Sequence, residues 1–155
     1  MAKTTTAPLT QTVKNSGAVF INGGGVTAFT TGTSPANTQV LVTAGTEGCV
    51  VKSVRIASSN SAAALYLTFW LSYSGAPSVY YLLGTIPVPA LSGASPTGST
   101  VNVDVLGNSM LTGLALDQMS KPVLAMAAST VLSVGIIAAP AATQFVWVTA
   151  ESEDF

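Results

Sequence analysis

Leu65-Tyr66-Leu67-Thr68-Phe69-Trp70-Leu71-Ser72-Tyr73 is the clearest structural statement in this chain. Leu65, Leu67, Phe69, Leu71 and Tyr73 point one way, and Tyr66, Thr68, Trp70 and Ser72 the other. Period-two alternation with one strongly apolar face predicts a β-strand laid on a core. Its flanks repeat the theme. Ser74-Gly75-Ala76-Pro77 reads as a turn, and residues 79–86 as a second strand ending at Pro87 and Pro89, which cannot donate to a central ladder. Upstream, residues 38–43 and 49–57 are β-branched runs separated by Ala44-Gly45-Thr46-Glu47-Gly48, a turn cluster.

Downstream, residues 100–106 alternate again, with Val101, Val103 and Val105 inward and Asn102 and Asp104 outward. Residues 108–121 are the least β-like. Met110, Leu111, Leu114 and Leu116 suit a short helix or a packed loop, and Gly113 weakens the helix. Residues 123–126, 131–137 and 143–149 complete the strands. Leu132, Val134 and Ile136 share a face; Phe145 and Trp147 oppose Val146 and Val148. About eight to ten short strands without a long helix predict an all-β fold, an antiparallel β-sandwich or a jelly-roll-like barrel.

The first residues differ. Residues 1–16 are Thr-rich and lack apolar periodicity, which predicts an extended N-terminal arm ahead of a single domain over 17–155. Gly23-Gly24-Gly25 reads as a turn between short β-prone runs at 18–21 and 26–30. A phosphate-cradling loop would need a following helix N-terminus, usually with a Lys, and neither is present.

Charge is scarce. Eleven of 155 residues are charged, 7%, against about 25% in an average domain. Histidine, the commonest acid–base group, is absent. Lys3, Lys14, Lys52, Arg55 and Lys121 are too few and scattered for a nucleic-acid stripe. The single cysteine, Cys49, excludes an intrachain disulfide and reads as a buried thiol. Mean hydropathy is +0.55, yet nowhere do about 18 apolar residues run together. Glu151, Glu153 and Asp154 before Phe155 disfavour an outer-membrane strand. Met1-Ala2-Lys3-Thr4-Thr5-Thr6 lacks an apolar signal core, so synthesis in a cytoplasm is expected.

The chemistry available is thin. Glu47, Asp104, Asp117, Glu151, Glu153 and Asp154 are the possible acids and bases; nothing in the sequence pairs them, and a Ser–His–Asp triad is impossible. Asn102, Asp104 and Asn108 lack the acidic cluster that calcium requires. No catalytic residue, cofactor or metal is expected. The candidate interface residues are Tyr66, Thr68 and Trp70 on the second face of the alternating strand, Trp147, and Lys3 and Lys14 of the arm. Exposed Trp and Tyr are enriched where proteins meet. Cover within the domain, or carbohydrate stacking on these rings, are the other readings.

Residues 40–60, VLVTAGTEGCVVKSVRIASSN, resemble a strand–turn–strand of small β-sandwich virion proteins of tailed bacteriophages. Gly84-Thr85-Ile86-Pro87-Val88-Pro89 and the closing segment 130–151 are similar in style, so the resemblance covers about residues 38–151. It implies a virion structural protein, most like a capsid decoration (cement) protein: a homo-oligomer, often a trimer, that binds major capsid protein on the capsid surface. Partners would then be capsid protein and further copies of itself, not nucleic acid or membrane. A tail, baseplate or head-fibre component and a carbohydrate-binding module are the alternatives.

Overall fold

The computed structural model describes residues 12–21, 35, 37–61, 64–73, 76–93, 102–108 and 111–155. Among them ten strands follow in order: β1 Thr12–Ile21, β2 Gln39–Thr43, β3 Cys49–Ser58, β4 Leu65–Tyr73, β5 Ala76–Val88, β6 Val103–Asp104, β7 Ala115–Leu116, β8 Pro122–Met126, β9 Thr130–Ile136 and β10 Phe145–Asp154. Among the described residues there is no helix. The strands form two antiparallel sheets packed as a β-sandwich. One runs β1-β10-β3-β8-β7, with β6 beside the other end of β3; the second runs β2-β9-β4-β5.

The alternating residues meet between the sheets. Leu65, Leu67 and Phe69 of β4 and Leu132, Val134 and Ile136 of β9 face Val51, Val54 and Ile56 of β3 and Val146, Val148 and Ala150 of β10. Burying each large apolar side chain contributes about 1.5–3 kcal/mol. In β3 the buried positions are Cys49 and Val51, then Val54, Ile56 and Ser58. The parity changes because the register against β10 shifts between Glu151 and Ser152, leaving an extra residue on β3 at Lys52–Ser53.

Several expectations meet a different outcome. Residues 12–16, expected in the arm, belong to β1 and pair with β10, from Thr12 opposite Asp154 to Ser16 opposite Ala150. Residues 1–11, Gly23-Gly24-Gly25, residues 26–30, Val101 and Met110 lie outside the described residues. β5 runs through Pro87 to Val88, which is tolerated because β5 is an edge strand among the described residues. Of the two readings of 108–121, the described residues 111–121 fit the loop: they are bends, turns and the two-residue β7, with Gly113 at φ 77°, a conformation that interrupts a right-handed helix.

Charge sorts by sheet. β2, β4, β5 and β9 contain no Asp, Glu, Lys or Arg. Lys14, Lys52, Arg55, Asp104, Glu151, Glu153 and Asp154 all lie on strands of the other sheet. Asp117 and Lys121 follow on its β7–β8 connection.

Candidate binding surfaces

The second face of β4 is covered for most of its length. Tyr66 is 49% exposed, but Trp70 is 1% exposed, and Thr68 and Ser72 are buried with it. Trp70 Nε1 donates to Thr68 Oγ1 at 2.9 Å, and that hydroxyl donates onward to the Gly135 carbonyl at 3.4 Å. A hydroxyl both donates and accepts, so one threonine serves the indole and the neighbouring strand. Thr68 and Trp70 therefore present no surface to a partner in this conformation; cover within the domain describes them. Tyr66 alone remains open.

Lys14 is engaged within its own chain, in an ion pair with Asp154. Lys52 Nζ lies 2.5 Å from Glu153 Oε2, so the end of β10 is tied to both neighbouring strands. Lys3 lies outside the described residues. Cys49 is buried; that burial pushes its thiol up, the Asp154 carboxylate adds to the shift, and Lys14 opposes it.

Trp147 belongs to the other sheet and points away from the core, 49% exposed. Tyr66 and Trp147 thus occupy opposite outer faces and do not form one patch. Gly17 of β1 makes room for the indole: a Cβ there would lie 3.1 Å from Trp147 Nε1. Around the ring, Asn15, Gly17, Arg55, Thr149 and Glu151 line a groove of about 570 Å³. A second groove of about 540 Å³ carries Lys52, Asp104, Asp117 and Lys121, and shares Ser53, Arg55 and Glu151 with the first. The two grooves adjoin at these three residues, and the pair forms a trough region on the outer face of this sheet.

The trough brings together acids that the sequence leaves apart. Asp104 faces Arg55 in the β3–β6 register, and Gly107 accommodates its carboxylate, since a Cβ on Gly107 would lie 2.8 Å from Asp104 Oδ2. Asp117 Oδ1 accepts from the Met119 and Lys121 amides, both at 2.8 Å, and so holds its own turn. Neither Arg55 nor Glu151 has an ion-pair partner among the described residues.

A further exposed group was not singled out from sequence. Tyr73 and Tyr81 pack edge to face at the β4–β5 hairpin, with centroids 6.4 Å apart, and Leu82 is exposed beside them. The available signal was Tyr80-Tyr81-Leu82-Leu83, an uncharged aromatic-aliphatic run beside prolines, the mark of an edge strand. Comparison with known proteins finds no matching family and no similar curated protein.

Proposed function

We propose that the chain is a non-catalytic structural protein of a phage virion, a decoration protein that binds the outer capsid surface and stabilises contacts between major capsid proteins. The sorting of charge between the sheets carries this reading. A partner that meets the open part of the β2-β9-β4-β5 sheet, at Tyr66 and along β5, desolvates no charged strand residue, and ion desolvation is the expensive part of burying a surface. Tyr66 on that side, and Tyr73, Tyr81 and Leu82 along β4 and β5, supply apolar and aromatic area. The resemblance of residues 38–151 to phage sandwich proteins gives the reading its specific partner. Closed symmetry among copies would protect the β5 edge, and multivalency would supply avidity without ion pairs.

The test is retention on the native particle. Particles are washed in about 1 M NaCl, where the Debye length falls to about 3 Å, and then imaged by electron cryo-microscopy. Retained protein with density on the capsid shell supports the proposal. Release by moderate salt alone overturns it, and density on the tail or baseplate transfers the chain to another virion role.

A further inference from the structure

The trough on the β1-β10-β3 face has no part in capsid binding as proposed. We infer that it is a binding site for a neutral carbohydrate chain, with Trp147 as stacking platform and Arg55 and Glu151 as its hydrogen-bonding pair.

The platform is built rather than incidental. Gly17 leaves a slot on β1 beside the indole, where any side chain would meet Nε1 at 3.1 Å. The ring therefore lies close to the backbone of the adjacent strand and keeps half of its surface open. A flat π-face carries partial negative charge and suits the polarised C–H face of a sugar ring.

The polar groups match hydroxyls. Arg55 offers only donors and Glu151 only acceptors, and neither is consumed by an ion pair among the described residues. A vicinal diol donates and accepts, so it can satisfy both at once. Ser53 lies opposite Glu151 in the register, and Thr149 opposite Arg55, so the two groups sit on adjacent rows of one face.

Charge balance selects the ligand class. Lys52 is already paired with Glu153, and Arg55 and Lys121 are offset by Asp104, Asp117 and Glu151 along the trough. A polyanion gains no field there, because favourable steering requires one sign to dominate. Each groove also falls within the usual range of ligand sites, about 300–1,000 Å³. Two adjoining grooves of this size suit a chain lying across the sheet.

The intact protein is titrated with neutral hexasaccharides (cello-, malto- and N-acetylchito-oligomers), followed by tryptophan fluorescence and calorimetry. At least one should bind saturably, with little response to salt. Trp147→Ala should weaken it by about tenfold or more, the scale of losing one stacked ring. Glu151→Gln should weaken it several-fold with the thermal midpoint unchanged, and Tyr66→Ala, on the opposite face, should leave it alone. Absence of binding to all three, undiminished binding by Trp147→Ala, binding of a sulfated polymer only, or loss of self-association in Trp147→Ala without any glycan effect would each overturn the inference. Capsid retention is measured separately, so failure of one reading does not decide the other.

Discussion

Trp70 and Thr68 share the outer side of β4, and the indole N–H donates to the threonine hydroxyl at 2.9 Å in a fully buried setting. Removing the acceptor of a buried donor costs about 1–3 kcal/mol. Thr68→Val keeps the shape but loses the hydroxyl, and with it the bond to the Gly135 carbonyl. We expect Thr68→Val to lower unfolding free energy in urea by that amount, while Thr68→Ser retains most of it. Equal midpoints for Thr68→Val and the parent would show that the bond contributes nothing.

The same strand offers a sharper contrast between its faces. Phe69 is buried in the shared core, whereas Tyr66 is half exposed. Phe69→Ala should cost about 3–5 kcal/mol, lost burial plus an unfilled cavity. With total stability of about 5–15 kcal/mol, that variant stands near global unfolding at elevated temperature. Tyr66→Ala should stay within about 0.5 kcal/mol, as surface substitutions usually do. Denaturant midpoints of the two variants, measured with unchanged slopes, check the difference.

The fold class was legible where alternation runs unbroken, as in β4 and β9. β3 was legible as a strand but not in its facing, because the bulge at Lys52–Ser53 changes the parity between Val51 and Val54. The fate of Trp70 was not legible either: alternation states which side a residue takes, not what lies on that side. The trough was hidden for a topological reason. Asn15, Arg55, Asp104 and Glu151 come from β1, β3, β6 and β10, and only the strand order makes them neighbours. The scarcity of charge was plain from composition, but its segregation required knowing that β2 and β9 flank β4 and β5 in one sheet.

Cys49 links burial to alkaline stability. Its folded thiol is raised above the ordinary value of 9.0, first by burial and then by Asp154. Above that value the unfolded chain releases the thiol proton while the folded chain retains it, so the folded state binds more protons and stability falls as pH rises. We expect unfolding free energy to decline above about pH 9, and Cys49→Ala to flatten that part of the decline. Thiol labelling at neutral pH should track unfolding, because the sulfur is fully buried. Rapid labelling of the native protein, or an equally steep decline in Cys49→Ala, would contradict this account.

β5 decides whether the uncharged sheet meets another copy. It ends the β2-β9-β4-β5 sheet, so one side of its backbone lacks a strand partner among the described residues. Proteins that keep such an edge solitary commonly place lysine on it. This edge has none. It carries Pro87, a register shift opposite Phe69–Trp70, and a Thr112 side chain and amide bonded to the Leu83 carbonyl, which interrupt the ladder only locally. Tyr81 and Leu82 remain exposed beside those interruptions. A second uncharged surface meets them without like-charge repulsion, which favours self-association along β5. Leu82→Lys puts a hydrated charge into that contact and removes no core packing. We expect light scattering to show an oligomer for the parent chain and a shift to monomer for Leu82→Lys, with the thermal midpoint of the isolated domain changed little. A parent chain that stays monomeric at every accessible concentration would remove the homo-oligomer from the proposed function, and the β5 edge would then need a different covering partner.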